Sequence, residues 1–295
     1  MDYGHPVEFG LFITPTADRT TQVLELADLA EAIGLDLVAI QDHPYQRRFL
    51  DTWTLLSAVG ARTRSIRLAP DVASLPLRPP VVLAKSAASL DLITGGRFEL
   101  GLGAGSFWDA IAGAGGPRRT PKEAVDALVE AIEILRGMWE GGPFSFTGEH
   151  YQVRGIKAGP VPAHPIGIWL GAYKPRMLRV TGQLADGWLP SLGQIRPAEL
   201  GTLNAQIDEA AVDAGRDPRV VRRLVNIHGS FGNSAELLRG TPTDWSEQLA
   251  DLALAFGMST FILATDDPDE AHRYAEEVAP RVRELVTAER APSSD

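Results

Sequence analysis

Along its 295 residues the chain repeats one phrase about eight times: a short apolar or β-branched run ending on a polar residue or glycine, then an amphipathic stretch of helical length. Short runs that are apolar throughout read as strands covered on both faces, and their alternation with helices reads as a parallel sheet. Eight such units close a (β/α)8 barrel, a TIM-type barrel of the α/β class. That architecture gathers chemistry at the carboxyl ends of the strands, which confines the search for function to about eight short segments.

The expected strands are Glu8 to Thr14, Leu37 to Gln41, Ile66 to Val72, Arg97 to Gly103, Pro165 to Ala172, Asp186 to Pro190, Arg222 to Phe231 and Thr260 to Ala264. Between them Val23, Leu26, Ala27, Ala30 and Ile33 recur at helical spacing, as do Val125, Leu128, Val129, Ile132 and Leu135, which predicts outer helices. Thr120-Pro121-Lys122-Glu123 and Asp267-Pro268-Asp269-Glu270 each place a capping side chain, a proline at the first helical position and a glutamate able to return a hydrogen bond. Residues 141–163 break the rhythm: Phe144 to Gly148 followed by Tyr151-Gln152-Val153 reads as a hairpin inserted before the fifth strand. One barrel domain over residues 1–290 is expected, with 291–295 as a small polar tail that is disordered.

Composition excludes several function classes. No run of about 18 apolar residues is present, so no membrane-spanning helix is expected. The amino terminus, with Asp2 and Glu8 and no basic apolar leader, reads as cytoplasmic. With no cysteine there is no disulfide, thiolate nucleophile or thiolate metal site. A formal net charge of -10 without a Lys/Arg cluster argues against a nucleic-acid partner, because such binding rests on neutralising phosphates. No H-E-x-x-H occurs, and His5, His150, His164 and His272 stand isolated along the chain, read as surface or loop residues; no metal site is expected.

At the strand ends the sharpest pair is Asp42-His43, an acid and an imidazole that can bind a polar ring edge and move a proton near neutral pH. The competing reading is that His43 only ties down the loop from Pro44 to Arg48. Gly101-Leu102-Gly103-Ala104-Gly105 lacks the third glycine of a dinucleotide fingerprint and is followed by Phe107-Trp108. It reads either as a strand end bared for a flat ring or as a tight turn. Gly171-Ala172 precede Tyr173, Lys174 and a helix opened by Pro175, whose free N–H groups with Lys174 and Arg176 fit either an anion site or an ordinary cap. Trp53, Trp139, Trp169 and Trp245 read as packing. Trp108 is placed over a ligand, with Ser106 and His228 as further substrate contacts and Ser191 at the sixth strand end as a cofactor contact.

With these residues in view, the chain resembles the luciferase-like family of flavin and deazaflavin oxidoreductases over essentially its full length. The likeness is carried by Asp42-His43, by Leu77 to Lys85 through Ser89-Leu90-Asp91 and Gly95-Gly96-Arg97 to Gly105, and by Ala185-Asp186-Gly187-Trp188. The resemblance implies a barrel holding a flavin-type ring against the strand ends. Family members often have a β-bulge with a non-prolyl cis peptide after strand three, here matched by Pro70-Asp71-Val72. By position, Asp42 and His43 would contact the ring and its proton chemistry, Asp71 and Val72 would support it, and Asp109 would contact the cofactor tail. Gly171, Ala172 and Tyr173 would line the ribityl and phosphate path, with Gly103 beneath the ring. Ser106 replaces the glutamate of sugar-phosphate-oxidising members, and Lys174 replaces a glycine common in deazaflavin enzymes. The resemblance favours coenzyme F420 over FMN and implies hydride transfer to or from a small organic substrate. Its rivals are an FMN monooxygenase using reduced flavin and O2, and a cofactor carrier without turnover. Dimers are common among members of the family.

Overall fold

In the computed structural model, which describes residues 2–291, the expected strands assemble into one parallel barrel. The first half contributes β1 (Glu8–Ile13), β2 (Leu37–Ile40), β3 (Arg67–Pro70), β4 (Ala73–Ser74) and β5 (Leu100–Gly103). The hairpin β6 (Gly142–Thr147) and β7 (Gln152–Ala158) follows, and then β8 (Ile168–Leu170), β9 (Gly187–Trp188), β10 (Arg222–Ile227) and β11 (Thr260–Ala264). The sheet runs β3-β2-β1-β11-β10-β9-β8-β5-β4. Because β3 and β4 are two halves of one strand split by a bulge, and Leu68 bridges Phe98 in parallel, the nine segments close as eight staves. Residues 292–295, most of the tail expected to be disordered, lie outside the described residues.

Ten α-helices are assigned among the described residues: α1 (Thr20–Ala32), α2 (Thr52–Arg62), α3 (Pro80–Thr94), α4 (Trp108–Gly113), α5 (Pro121–Glu140), α6 (Pro175–Leu184), α7 (Leu200–Asp213), α8 (Pro242–Phe256), α9 (Pro268–Arg273) and α10 (Ala279–Arg290). The Thr120 cap closes as expected, with the Glu123 N–H donating to its hydroxyl and Glu123 accepting from the Thr120 N–H at 2.7 Å. The second cap differs. Asp267 accepts from the Asp269 N–H, but Glu270 takes the Thr265 hydroxyl at 2.7 Å instead of returning to the cap.

Side chains alternate across a strand, and that period sorts the barrel interior into layers. At the amino-terminal end Glu8, Arg67, Glu99 and Arg222 form an ion-pair ring, with Arg222 2.9 Å and Glu99 3.7 Å from their partners Glu8 and Arg67. Above it, Leu37, Ala39, Ala69, Trp169, Leu189, Leu224 and Ile262 make a dry plug. Phe12 and Val72 pack on its upper side, and the polar layer above them opens to solvent.

Several motif residues that carry the family resemblance hold this scaffold together. Arg97 donates to the carbonyls of Gly60, Thr63, Ile66 and Thr94 at 2.7–3.0 Å, fastening the end of α2 to the start of the fourth stave. Asp91, fully buried, accepts from the N–H groups of Ala163 and His164 and from the His164 ring at 2.8 Å. His164 is therefore no isolated loop residue, and Glu99, with Asp91 adding to it, raises its pKa against the effect of burial. A Cβ on Gly187 would lie 2.5 Å from the Trp169 ring, so glycine at that position makes room for the plug.

Candidate functional site

The barrel mouth opens into a cavity of about 1230 Å³ at the carboxyl ends of the strands. That exceeds the roughly 300–1,000 Å³ of pockets that enclose one small ligand, so it has room for a cofactor together with a second molecule. Trp53, Trp139, Trp169 and Trp245 are buried as packing, while Trp108 lines the cavity.

One wall begins at the end of β2. Asp42 is buried, and both of its oxygens are taken: Arg78 donates to each at 2.7 Å, and the Ser74 N–H donates to Oδ2 at 2.9 Å. A bidentate guanidinium with an added backbone donor fixes the orientation of the carboxylate. Asp42 thus ties β2 to β4 and presents no free oxygen for carrying a proton, which corrects the expectation that it shares the proton work of His43. Arg78 continues to Asp51 at 2.7 Å, the carboxylate that caps α2.

His43 lines the cavity, and its Nδ1 lies 2.7 Å from the Tyr45 hydroxyl. Phe107 meets the imidazole edge-on at 5.6 Å between centroids. Burial lowers the His43 pKa, and the nearby Asp42 charge opposes the shift, so the ring is held neutral through most of the physiological range. His43 both orders its loop through Tyr45 and faces the cavity.

The floor is the bulge. The Asp71–Val72 peptide is cis, Val72 lines the cavity, and a Cβ on Gly103 would sit 2.7 Å from its Cγ2. A Cβ on Gly101 would lie only 2.1 Å from the Pro70 carbonyl oxygen. The bare strand end is therefore demanded by the bulge beside it, a reason that neither the ring-bed nor the tight-turn reading anticipated. Asp71 is partly exposed as a residue, yet its Oδ2 is shielded and has no partner among the described residues; the same holds for Oδ1 of Asn226. Burial pushes the Asp71 carboxyl up to about 7, against a smaller lowering by the Asn226 side chain.

The far wall comes from the β8 and β9 ends. Gly171, Tyr173 and Ser191 line the cavity, and the Ser191 N–H donates to the Tyr173 hydroxyl at 3.0 Å. Three cations lie at the starts of α5 and α6: Lys122 and Arg176 share Asp126, and Lys174 also lines the cavity.

Three expected contacts are corrected. Asp109 points away, 95% exposed and paired with Arg118, because α4 turns that face outward. Ala172 is fully buried behind the wall, its carbonyl accepting from the Trp188 indole at 2.9 Å. His228 lies one residue beyond the end of β10, exposed and outside the lining, whereas Asn226 faces inward. Ser106 and Trp108 do line the cavity. Among the lining residues to which sequence reasoning assigned no role of their own are Tyr45 and Phe107, whose loops it did place at the pocket, and Lys122 and Gln194. Tyr45 follows the Asp-His pair by two residues, which was a usable signal; Gln194 gave none.

Comparison with known proteins adds the family. The profile described as luciferase-like monooxygenase matches residues 3–241. The chain belongs to the luciferase-like monooxygenase family. An F420-dependent glucose-6-phosphate dehydrogenase of Mycolicibacterium smegmatis is 30% identical over 264 residues, spanning 86% of this chain and 76% of that protein. Among solved structures, an F420-dependent secondary alcohol dehydrogenase in complex with an F420-acetone adduct superposes with a TM-score of 0.80 at 18% identity, covering 94% and 99% of the two chains. The FMN-bound oxygenating constituent of a diketocamphane monooxygenase of Pseudomonas putida reaches 0.76 at 18% identity, with the same coverage. As a luciferase-like barrel the protein is an α/β enzyme scaffold, and among the described residues no helix is long and apolar enough to cross a membrane. Nor do the described residues contain a group of three or more carboxylate or imidazole side chains able to hold a metal ion.

Proposed function

We propose that this luciferase-like protein is an F420-dependent oxidoreductase that transfers a hydride to or from a small organic substrate. The observation that carries the reading is His43, a cavity-facing imidazole of lowered pKa beside a bulged, glycine-backed floor. The curated relatives that use F420 add weight to the deazaflavin over FMN.

The residues present fit such a cofactor. Val72 and Gly103 offer a flat apolar bed, and the unpartnered oxygens of Asp71 and Asn226 await hydrogen-bond donors such as a ring edge presents. Gly171, Tyr173 and Ser191 leave a channel toward Lys122, Lys174 and Arg176, whose charges and helix N-termini suit an anionic tail. A deazaflavin supplies the carbon that accepts or gives the hydride; the chain supplies position and proton handling. His43 takes the substrate hydroxyl proton at Nε2 during oxidation, since Nδ1 is engaged by Tyr45. Asp42, locked by Arg78, keeps a negative charge close to the imidazolium that forms. Substrate closing over the mouth excludes water from the reacting pair.

The test is a titration of the apo protein with F420 and with FMN, followed by cofactor fluorescence, beside turnover of His43→Ala. F420 binding that survives in the variant while turnover falls by about 100-fold or more supports the reading. Binding of FMN alone with oxygen-dependent turnover replaces it with a monooxygenase, and cofactor binding with no turnover on any substrate leaves a carrier. A homodimer belongs to this reading too, through the exposed apolar residues Val82 and Ile93 of α3, and its check is light-scattering mass in solution.

A further inference from the structure

At the amino-terminal end of the barrel, away from the mouth, one imidazole stands between two carboxylates. His164 lies in residues 159–167, the segment that carries the chain from the hairpin to β8. Its Nδ1 is 2.8 Å from Oδ1 of Asp91 on α3, and its Nε2 is 3.6 Å from Oε1 of Glu99, just before β5. Asp91 also accepts from the Ala163 and His164 N–H groups at 2.7 and 3.1 Å. Glu99 accepts from the Gly167 N–H at 2.7 Å, so the two carboxylates grip the segment on either side of the ring. A neutral imidazole has a single N–H to give; only the imidazolium presents one to both carboxylates. The nearby cations are already engaged. Lys85 of α3 donates to the Gly159 carbonyl at 3.2 Å, and Arg67 and Arg222 stand behind Glu99, sharing Glu8. Gly96, against the ring from the turn after α3, brings no charge.

We propose that His164 is a proton-operated clasp for residues 159–167: charged, it joins Asp91 to Glu99 and pins the segment to the barrel, and neutral, it holds Asp91 alone and frees Glu99. The Nδ1 proton is the one retained. Asp91 is fully buried and at hydrogen-bond distance, where losing a donor costs most, whereas Nε2 faces Glu99 at the longer separation. Glu99 first and Asp91 after it raise the pKa of the ring against burial, so the folded chain holds this proton more tightly than the unfolded one. The clasp is therefore complete below about pH 6.5 and is lost as pH rises through the raised value. The hairpin is fastened in two places. Its tip is held by Glu130 of α5, which accepts from the N–H groups of Glu149, His150 and Tyr151 at 2.7–3.2 Å, and its base by this clasp. Rising pH loosens the base while the tip stays docked. The clasp is independent of the cofactor and of the mouth.

Two measurements on the full chain test the clasp. Imidazole NMR across pH, with the His164 signals identified by their loss in His164→Gln, reads the ring itself. The expected midpoint lies above about 6.5, the neutral ring carries its proton on Nδ1, and Glu99→Gln lowers the midpoint. Amide hydrogen exchange, with each rate taken relative to the intrinsic rate at the same pH, reads the segment. Protection of Ala163, His164 and Gly167 should fall between about pH 5.5 and about pH 8.5 by about 5-fold more in the native chain than in His164→Gln, which has no ring to protonate. The amides of the hairpin tip at Glu149 and Tyr151 should show no such difference. A midpoint at or below about 6.5, a neutral ring protonated on Nε2, a midpoint indifferent to Glu99→Gln, or an equal fall in His164→Gln overturns the proposal. Should either variant fail to fold, the ring midpoint, its tautomer and the pH dependence of protection in the native chain decide the matter: protection that does not fall as pH rises refutes the clasp.

Discussion

Replacing Asp71 by asparagine tests the electrostatics of the barrel floor. Burial pushes the carboxyl up to about 7 in the folded chain against 3.8 for an unperturbed group, and its shielded Oδ2 has no hydrogen-bond partner among the described residues. Between those two values the folded state binds the proton and the unfolded state does not. Folding is therefore favoured by protonation, and this contribution shrinks as pH rises through the window. Moving from about pH 5 to about pH 8 removes roughly 2.7 kcal/mol of linked stability by the two-pKa relation. A chain of 295 residues unfolds with an entropy of about 0.6 kcal/mol/K, so the loss corresponds to about 4 °C in Tm. The asparagine side chain has the same shape as aspartate and no charge to titrate. The Tm of Asp71→Asn minus that of the native chain should therefore climb by about 4 °C across this range, all other titrating groups cancelling in the difference. Calorimetry at several pH values reads it. A difference that stays flat to within about 1 °C would mean the carboxyl is hydrated or paired in solution, and the account of the floor would be wrong.

Three further outcomes follow from the same geometry. The burial that lowers the His43 pKa should place the acid limb of kcat/KM for alcohol oxidation below the ordinary value of about 6.5, since the neutral imidazole is the working form; an acid limb above it contradicts the assignment. Glu8→Ala strips the shared partner from Arg67 and Arg222 and should cost about 3 kcal/mol, or about 5 °C in Tm, measurable by thermal unfolding with the cofactor site intact. Gly101→Ala drives a Cβ against the Pro70 carbonyl at 2.1 Å and should destabilise by about 1–3 kcal/mol while weakening F420 binding, because the bulge must move; unchanged affinity would separate the bulge from the cofactor bed.

Much of the barrel was legible because each stave carries its own signal. Buried strands such as Leu37–Ile40 and Thr260–Ala264 are apolar throughout or nearly so, and caps such as Thr120 announce helices locally. The strand ends then pointed to His43, Val72, Gly103, Gly171 and Ser191, all of which line the cavity. The misses share a cause. Asp109 and Ala172 were placed by position in the family resemblance and His228 by its strand end, whereas lining depends on which way each side chain turns, and α4, the Trp188 contact and the end of β10 turn those three aside.

By itself the amino-acid order determined the period, and with it the closed parallel sheet, the mouth as the place of chemistry and the Asp42–His43 pair. Those follow from local propensity and from the burial of apolar runs, which neighbours in sequence encode. Only the folded chain decided that Asp42 is a strut held by Arg78 and that Asp71 faces Asn226. It also decided that Tyr45 and Phe107 enclose the imidazole while the cations gather at the helix starts across the mouth. Apart from His43 with Tyr45, two positions away, these contacts join residues tens to more than a hundred positions apart, and their strength depends on distance and burial that arise when the staves close.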